Sequence, residues 1–597
     1  MNPTFAITGA NTPPGVAAVS TTPSPGPTAV PVPLSTAEPD AATLARAALA
    51  AEEPDAATLA RAAEQTAGTL LAPAAPHRLT DVVPAPQQVQ PDPTADWALP
   101  AEAVIVSSAD PAALAVAEQL AQLLRPATGY PLPVTDATTP EPAGGIALVL
   151  DESADLGAEG YSADLGAEGY HVDIATDGVR ITAATAAGLF YGVQTLRQLL
   201  PAAIESPSPV TERWALPGGA ITDAPRFPYR GAMLDVARHF FAVEDVLRVV
   251  DHLARYKLNH LHLHLTDDQG WRIAVDSWPK LTTVGGTTEV GGGPGGHYTK
   301  ADYQRIVSYA AARHITVVPE IDLPGHTNSA LVAYPELAPD KIAPPPYTGI
   351  EVGFSYVDPA DERTYDFVAD VLGEVAALTP GPWLHIGGDE AFKVNGEVYT
   401  GFVERVQRIV ADLGKTVVGW HQLAPAAHLD GRVLQWWGTN GEDPTTVDAV
   451  RRGARLIVSP GNHAYLDMKY APDTPIGHDW AGLIDVRKAY DWDPGTHVAD
   501  VPAEAVLGVE APLWTESVTS LADIELLLLP RLPAIAELGW STRATHNWAD
   551  FRDRLAGQGP RWTTAGITFH RAPEIPWRTA PTIPTQRNVP QTDTATP

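Results

Sequence analysis

The pattern of hydrophobic and polar residues divides the chain into segments of different character, with changes near residues 76 and 223. Residues 1–75 are rich in Ala, Pro, Thr and Ser, and their one aromatic residue is Phe5. A segment with so few bulky apolar side chains cannot bury enough surface to offset its ordering entropy. We therefore expect a flexible leader over residues 1–75, and a flexible tail over residues 578–597.

Residues 76–222 combine strand-like and helix-like patterns. Short apolar runs predict buried strands, wider amphipathic repeats predict helices, and two alternating segments around Asp177-Gly178 predict a hairpin. The predicted elements are strands Ala103–Ser107 and Ile146–Asp151, helices Pro111–Leu124 and Ala187–Leu200, and hairpin strands His171–Thr176 and Gly178–Ala183. Together they indicate a small α+β domain in which no group of residues suggests chemistry.

From Tyr229 onward, short apolar runs alternate with helical patterns. Eight such repeats predict an α/β fold, a closed (β/α)8 TIM barrel, over residues 223–577. The predicted strands are Gly231–Val236, Leu258–Leu265, Ile315–Ile321, Trp383–Ile386, Thr416–Gly419, Val433–Trp437, Arg455–Val458 and Leu507–Ala511. Helices are predicted at Val243–Tyr256, Lys300–Arg313, Arg363–Ala377 and Val398–Leu413.

Two tandem duplications interrupt these patterns. Glu38–Ala48 recurs as Glu53–Ala63, and Ser153–Tyr161 recurs as Ser162–Tyr170. Two copies are too few to build a repeat architecture, so we interpret both as replication slippage or an assembly artefact. Because the second duplication lies inside a folded-looking region, we expect one of its copies to loop out.

Composition excludes several classes of function. The chain has 597 residues and a formal net charge of −32, so Coulomb repulsion opposes nucleic-acid and anionic-membrane partners. It contains no cysteine, which removes disulfides, thiolate metal sites and thiol nucleophiles. No apolar run approaches the ~20 residues of a membrane span. The N-terminus shows no basic region followed by an apolar core, so no signal peptide is visible.

Chemically active side chains stand at the carboxyl ends of all eight predicted strands, where barrel enzymes place their active sites. Aromatic rings stack on sugar rings, and arginine and carboxylates bind hydroxyls, so this set favours carbohydrate chemistry. The strand ends carry Asp235 and Arg238, His264 and Asp267, Asp322 and His326, Asp389 and Glu390, Trp420, Trp437, Tyr465 and Asp467, and Trp514 and Glu516.

Asp389 and Glu390 form the natural catalytic pair of carboxyl groups. Adjacent side chains of a regular strand face opposite sides, so both reach one pocket only if the chain leaves the strand, as Gly387-Gly388 permits. Adjacent carboxylates are poorly placed to flank a glycosidic bond, since the two-carboxylate mechanism needs a separation of about 5–9 Å. A substrate that carries its own nucleophile would remove this difficulty.

Other residues leave two interpretations open. His262 and His264 have the spacing of metal ligands in a strand, but no third ligand follows at a predictable spacing, so we favour hydrogen-bonded barrel histidines. Glu320 and Asp322 fit a site role and a structural role equally well. The glycine-rich run Gly285–Gly296 lacks the Lys-Ser/Thr ending of a phosphate loop, so we expect a mobile connection.

Four tryptophans are assigned by their position in the pattern. Trp271 and Trp278 are expected to pack in the core. Trp436 and Trp437 are adjacent in a strand and point in opposite directions, so only one of them can face the site. We therefore expect the other member of this pair to be a core residue.

Three motifs resemble those of the bacterial β-N-acetylhexosaminidases of glycoside hydrolase family 20, particularly secreted actinobacterial ones. The resemblance covers residues 76–577 and includes the small α+β domain that precedes the barrel. That family is an exception to the two-carboxylate scheme, because its substrates assist their own hydrolysis. The motifs are Leu234-Asp235-Val236-Ala237-Arg238-His239-Phe240, His385-Ile386-Gly387-Gly388-Asp389-Glu390 and Gly419-Trp420-His421-Gln422.

The resemblance implies a role for each site residue. Glu390 would be the general acid and base, held by Asp267 and His326 through a hydrogen-bonded chain. Asp389 would accept a hydrogen bond from the 2-acetamido N–H of the substrate, and Tyr465 would donate one to its carbonyl oxygen. The implied substrate-binding residues are Trp420, Trp437 and Trp514 around the acetamido methyl and the ring, Arg238 at the 3- and 4-hydroxyls, and Asp467 and Glu516 near the 4- and 6-hydroxyls.

The resemblance therefore implies an exo-acting, retaining enzyme that removes terminal GlcNAc or GalNAc and needs neither a cofactor nor a metal. Its partner would be a carbohydrate with a 2-acetamido group, with no nucleic acid and no membrane involved. The oligomeric state stays open, and extracellular location rests on the resemblance alone.

Two alternatives to this activity remain. A catalytically silent glycan-binding protein would normally have lost Asp389, Glu390 or Tyr465, and all three are present. A related acetamido-glycosidase such as lacto-N-biosidase would differ in pocket depth. The Asp-x-x-Asp-x-Asp-x-Glu motif of substrate-assisted chitinases is not found in this sequence.

Overall fold

The computed structural model describes residues 78–136, 144–151 and 165–579. The predicted leader, the duplication within it and most of the predicted tail lie outside the described residues, as does the first copy of the second duplication. Within the described ranges, no helix is both long enough and apolar enough to cross a membrane.

The small domain is built on a mixed sheet. Its elements are β1 (Gln88–Pro91), β2 (Trp97–Ala98), β3 (Ile105–Ser107), α1 (Pro111–Thr128), β4 (Val134–Asp136), β5 (Gly145–Leu150), β6 (Tyr170–Ala175), β7 (Gly178–Ala183), α2 (Ala186–Leu199), β8 (Ala215–Leu216) and β9 (Gly219–Asp223). Seven strands form one sheet in the order β1-β9-β6-β7-β5-β3-β4, and β2 pairs with β8. The predicted α+β domain is thus confirmed, including the antiparallel hairpin of β6 and β7.

Helix α1 shows why the sequence folds as predicted but ends later. Asp110 caps its start by accepting hydrogen bonds from the backbone N–H groups of Ala112 and Ala113. Gly129 ends it in the left-handed conformation, with φ of 68°. The helix therefore runs to Thr128, beyond the predicted end at Leu124.

The second domain is the predicted barrel. The barrel strands are β10 (Tyr229–Asp235), β11 (His260–His264), β12 (Thr316–Glu320), β13 (Trp383–His385), β14 (Thr416–Trp420), β15 (Val433–Trp436), β16 (Arg455–Val458) and β17 (Val506–Leu513). All neighbouring strands are parallel, and β17 pairs with β10 to close the barrel. A (β/α)8 barrel preceded by a small α+β domain is therefore confirmed.

Helices surround and follow these strands. They are α3 (Val243–Arg255), α4 (Lys280–Thr283), α5 (Lys300–Ala311), α6 (Asn328–Ala333), α7 (Glu362–Leu378), α8 (Gly396–Asp412), α9 (Pro444–Arg451), α10 (Val486–Tyr490), α11 (Leu521–Leu528), α12 (Arg531–Trp540), α13 (Trp548–Leu555) and α14 (Gln558–Thr564). Short 3₁₀ turns occur at Ala202–Glu205, Val290–Gly292, Pro335–Leu337, His421–Leu423, Ala503–Ala505 and Arg543–Thr545.

The second copy of the duplicated segment Ser162–Tyr170 is integrated into the fold from Leu165 onward. Glu168 accepts hydrogen bonds from Arg230 of β10 at 2.8 and 3.0 Å. Tyr170 is fully buried at the start of β6, where Lys257 donates to its hydroxyl at 2.6 Å. These contacts connect the small domain to the base of the barrel.

The barrel interior holds a charged network. Glu320 of β12 accepts hydrogen bonds from His264 at 2.5 Å and from the indole N–H of Trp420 at 2.9 Å, and it lies 3.0 Å from Nε2 of His262. His262 also contacts Glu510 of β17 at 2.9 Å. The two histidines are therefore hydrogen-bonded barrel residues, which is the interpretation we favoured from the sequence.

The glycine-rich segment Gly285–Gly296 is anchored by one arginine. Arg272 is fully buried and donates to the carbonyl oxygens of Gly286, Thr288 and Gly296, at 3.2, 2.8 and 3.1 Å. The expectation of a mobile connection does not fit these contacts, because three carbonyls of the segment are held by a single rigid guanidinium. Sequence spacing gave no sign of this arginine, which lies 13 residues before the first of the glycines.

Candidate active site

A turn made by two glycines follows β13 and directs the acidic pair. Gly387 and Gly388 have φ of 65° and 103°, in the region that favours glycine. A Cβ on Gly387 would lie 1.7 Å from Oδ1 of Asp322, so no larger residue fits. The chain leaves the strand here, and both Asp389 and Glu390 line the same cavity.

That cavity, of about 360 Å³, lies at the carboxyl ends of the barrel strands. Eight of the eleven site residues predicted from the sequence line it: Arg238, Asp389, Glu390, Trp437, Tyr465, Asp467, Trp514 and Glu516. The other three, Asp267, His326 and Trp420, stand directly behind these residues and hold them.

His326 connects Asp267 to the acidic pair. Its Nδ1 lies 3.3 Å from Asp267, and its Nε2 lies 3.4 Å from Glu390 and 3.8 Å from Asp389. Burial opposes protonation of the imidazole, but Asp267 and Asp389 together raise the pKa of His326 well above its usual value. The charged ring therefore donates from Nδ1 to Asp267, while its Nε2 lies in ion-pair contact with Glu390.

Asp267 also fixes Arg238. The guanidinium of Arg238 contacts Asp267 at 2.9 Å and Asp235 at 3.4 Å, and lies 4.8 Å above the ring of Trp514. Burial raises the pKa of Asp267, but Arg238 and then His326 outweigh it and hold that pKa well below its usual range. One carboxylate thus orients both the guanidinium of Arg238 and the imidazole beside Glu390.

Asp389 is paired with a second buried carboxyl group, that of Asp322. Burial raises the pKa of Asp389 to about 6, with Glu390 adding to the effect and His326 opposing it. Burial and the neighbouring Asp389 raise the pKa of Asp322 well above its usual value. Oδ2 of Asp322 and Oδ1 of Asp389 are buried without a hydrogen-bond partner among the described residues, so a proton held by one carboxyl and donated to the other would satisfy both. Asp322 therefore belongs to the site.

Two further acids that line the cavity, Glu516 and Asp467, are in different protonation states. Glu516 lies 3.3 Å from His478, and although burial raises its pKa, His478 and Arg238 lower it to about 2. Burial raises the pKa of Asp467 to about 7, and Glu516 adds to this shift. Neither side-chain oxygen of Asp467 has a hydrogen-bond partner among the described residues. Such unpaired acceptors suit the hydroxyl groups of a sugar.

Aromatic rings form the walls. The ring centroid of Trp514 lies 5.8 Å from that of Trp420, and the centroid of Trp480 lies 5.8 Å from Tyr465 and 6.0 Å from Trp437. Trp437 lines the cavity, whereas Trp436 is buried in the core. Only one of these adjacent tryptophans faces the site, as the strand pattern predicted.

Four cavity residues were not found from the sequence: Ile350, Val352, His478 and Trp480. His478 and Trp480 lie in the long connection after β16, where a tryptophan amid small and polar residues was a usable signal. Ile350 and Val352 lie in an irregular connection between β12 and α7 and are exposed despite being apolar. No periodicity marks them, so only the fold brings them to the cavity.

Groups of histidine and acid in this network lie close enough to hold a metal ion, including His262, Glu320 and His385. A ligating histidine must offer an unprotonated nitrogen. Burial lowers the pKa of His262, but Glu510 and Glu320 outweigh it and raise that pKa to about 9. Both of its nitrogens therefore carry a proton at neutral pH, which fits a structural network better than a metal centre.

A (β/α)8 barrel whose end cavity combines an acidic pair, aromatic walls and hydroxyl-binding side chains has the architecture of a glycoside hydrolase. The family model of the glycosyl hydrolase family 20 catalytic domain matches residues 227–398 and 393–543. The model of domain 2 of the same family matches residues 79–224. The chain therefore belongs to glycoside hydrolase family 20.

Known proteins of this family resemble the chain over most of its length. A β-N-acetylhexosaminidase of Cellulomonas fimi is 41% identical over 496 residues, which cover 83% of this chain and 97% of that protein. The solved family 20 β-N-acetylhexosaminidase of Streptomyces coelicolor A3(2) is 53% identical, with a TM-score of 0.80, covering 84% of this chain and 100% of its own. That of Streptomyces plicatus in complex with Thio-NAglucal is 53% identical, with a TM-score of 0.81, covering 85% and 99%.

The unpaired state of Asp467 predicts a gain in stability on its neutralisation. The pKa of folded Asp467, about 7, lies above its ordinary value of 3.8. The stability of the folded protein therefore falls as the pH rises from about 4 to above 7, because the buried carboxyl is forced to ionise. Asp467→Asn should therefore unfold at least about 2 °C above the parent at pH 8, as followed by circular dichroism.

At pH 3, below both the folded pKa and the ordinary value of 3.8, folded and unfolded Asp467 both mostly carry the proton, so this gain should vanish. The matched control is Asp430→Asn, which changes a fully exposed carboxyl and should leave the unfolding temperature unchanged. An Asp467→Asn variant no more stable than the parent at pH 8 would contradict the assignment.

Proposed function

We propose that the protein is an exo-acting β-N-acetylhexosaminidase that removes terminal, non-reducing β-linked GlcNAc or GalNAc with retention of configuration. The observation that carries the proposal is the placement of Asp389 and Glu390 side by side in one cavity with Tyr465. Adjacent carboxyls cannot act as nucleophile and acid on opposite sides of a bond, so the nucleophile must come from the substrate. The names of the relatives support this activity.

Glu390 is proposed as the proton donor and acceptor. In the first step its proton passes to the leaving-group oxygen as the acetamido carbonyl oxygen of the substrate attacks the anomeric carbon. In the second step Glu390 takes a proton from water, which opens the resulting oxazolinium ring. His326, 3.4 Å away, keeps the carboxyl oriented through both steps. Because the nucleophile is intramolecular, its effective molarity can account for up to about 7–11 kcal/mol of the barrier.

Asp389 and Tyr465 are proposed to position the acetamido group. Above its pKa of about 6, Asp389 is ionised and accepts the acetamido N–H, whose positive charge grows as the oxazolinium forms. Asp322 keeps its proton and donates it towards Asp389. Tyr465, buried beside the same cavity, donates its hydroxyl to the carbonyl oxygen and aligns it for attack.

The remaining predicted residues are proposed to bind the terminal sugar. Arg238, Asp467 and Glu516 line the cavity, and we propose that they bind the hydroxyl groups of the non-reducing terminal sugar, as exo action requires. Trp437 and Trp514 line the cavity for ring contact, and Trp420 supports Trp514 from behind.

The natural substrates are proposed to be chitin oligosaccharides or glycan ends, and the location extracellular, by the family resemblance. A structure of the Streptomyces plicatus enzyme carries GlcNAc as product, and a relative from Vibrio harveyi is named N,N'-diacetylchitobiase. A silent glycan-binding protein is disfavoured because Asp389, Glu390 and Tyr465 all stand at the cavity. Lacto-N-biosidase activity would be detected by release of a disaccharide instead of a single sugar.

Replacement of the catalytic pair tests the roles. Glu390→Gln should lose about 10²–10⁴-fold in kcat/KM on chitobiose, because a poor leaving group needs the proton. Asp389→Ala should lose activity on chitobiose and also on nitrophenyl β-N-acetylglucosaminide, because the acetamido group is no longer held. Initial rates of both variants, with Asp430→Asn as an exposed control, measure these losses.

Two outcomes would contradict the proposed activity and mechanism. A parent enzyme inactive on both the gluco and the galacto nitrophenyl substrates is not a hexosaminidase. A covalent glycosyl ester on an enzyme carboxylate, found by mass spectrometry, would replace substrate assistance with an enzyme nucleophile.

Asp322 offers a sharper test, because asparagine imitates its protonated form. In Asp322→Asn the amide can accept from Gly388 N–H, as the carboxyl does at 3.0 Å, and donate to Asp389. It should keep kcat/KM within about 10-fold, whereas Asp322→Ala should lose about 10²-fold.

The pH profile separates this positioning role from a general packing defect. The parent kcat/KM should fall as pH falls through about 6, where Asp389 gains a proton. The hydrogen bond from Asp322 lowers the pKa of Asp389, so the fall should move to higher pH in Asp322→Ala and stay in place in Asp322→Asn. Equal profiles in the alanine variant and the parent would refute the role.

A further inference from the structure

A second cavity, of about 270 Å³, lies between helices α1 and α2 of the small domain and helix α3 of the barrel. It shares no lining residue with the cavity that contains Asp389 and Glu390. Four arginines line it, namely Arg197, Arg248, Arg255 and Arg313, together with one carboxylate, Asp251. Such a concentration of guanidinium groups contrasts with the net charge of −32 of the whole chain.

Carboxylates only partly balance this charge. Arg561 does not line the cavity but also contacts Glu205, so among the described residues five guanidinium groups share three carboxylates, an excess of two positive charges. The pairs are Glu205 with Arg197 at 2.5 Å, Arg255 at 3.1 Å and Arg561 at 3.8 Å, Glu525 with Arg248 at 3.3 Å, and Asp251 with Arg313 at 2.8 Å.

The excess positive charge is concentrated on Arg255, which is 5% exposed. Its Nη2 reaches Glu205, but its Nε and Nη1 have no hydrogen-bond partner among the described residues. Burial, and next the charge of Arg197, lower the pKa of Arg255, as expected for a guanidinium short of counter-charge. Leaving buried charge and donors unpaired is costly, so this site needs an acceptor that the part of the chain described by the structure does not supply.

His252, which also lines the cavity, does not supply this acceptor. Burial lowers the pKa of His252, so its ring is neutral and binds Glu525 at 3.1 Å. Gln194 also lines the cavity, and its side-chain oxygen has no partner among the described residues. Rotating that amide end for end presents its NH₂ group in place of the oxygen, which adds a donor.

We propose that this cavity binds a small tetrahedral oxyanion of the phosphate or sulfate type. Arg255 supplies the unpaired donors, and Arg197, Arg248 and Arg313 supply the surrounding field. The planar fork of arginine matches two oxygens of such an ion, and the volume admits the ion with attached water. A bound anion links α2 of the small domain to α3 of the barrel and stabilises their interface.

The test is thermal unfolding of the full chain with 0–10 mM sodium phosphate or sodium sulfate, with NaCl holding ionic strength constant. A specific site predicts a saturable rise in unfolding temperature of about 2 °C or more, because a ligand that binds only the folded state stabilises it. General salting-out by these ions gives a small linear rise instead.

Variants locate the effect. Arg255→Gln removes the unpaired guanidinium, and Gln122→Glu places a carboxylate at an exposed position of the cavity wall; both should abolish the saturable rise. Arg405→Gln changes an arginine that lies outside the cavity and is paired with Glu362. This variant should keep the saturable rise in unfolding temperature.

Phosphorus NMR gives an independent readout that does not depend on a variant folding. The inorganic phosphate line should broaden with the parent protein and sharpen when sulfate is added in excess. A parent without a saturable rise, or a rise that persists in both Arg255→Gln and Gln122→Glu, would overturn the proposal. Sugar hydrolysis is not part of this test, so its outcome is independent of the proposed function.

Discussion

Several acidic side chains lie together in one buried space at the carboxyl end of the barrel. This arrangement is stable only if the electrostatic repulsion between them is offset. Glu320, Asp322, Asp389 and Glu390 come from two neighbouring strands, β12 and β13, whose ends meet at this edge. In a space poor in water, like charges interact strongly. Each carboxyl therefore requires its own partner, and the choice of partner decides its chemical state.

The structure provides a different solution for each acid. Glu320 stays charged because three histidines and an indole N–H surround it. The pKa of Asp322 is raised well above its usual value and that of Asp389 to about 6, so Asp322 holds a proton at neutral pH while Asp389 can ionise, as its proposed role requires. Asp267 pairs with Arg238 and His326, so the imidazole proposed to orient Glu390 is also tied to the guanidinium proposed to bind the sugar. Positioning and protonation are thus set by one connected network.

The sequence was sufficient to predict the barrel, because the alternation of strand and helix patterns repeats eight times and tertiary packing only adjusts the ends. It also predicted that Asp389 and Glu390 share a cavity, because two glycines precede them. It could not decide the role of Asp322, whose protonation depends on a neighbour 67 residues away. Nor could it find Ile350, Val352 or the arginines around Arg255, because these residues meet only when separate connections and helices pack together.

In the proposed mechanism, the substrate supplies its own nucleophile beside Asp389. The most direct measurement compares kcat for nitrophenyl glycosides whose N-acetyl group carries none, one, two or three fluorine atoms. Fluorine withdraws electrons from the carbonyl oxygen, so substrate assistance predicts a steep fall in kcat across the series, by orders of magnitude. A kcat that stays constant across the series would show that the carbonyl oxygen does not attack, and would contradict the account.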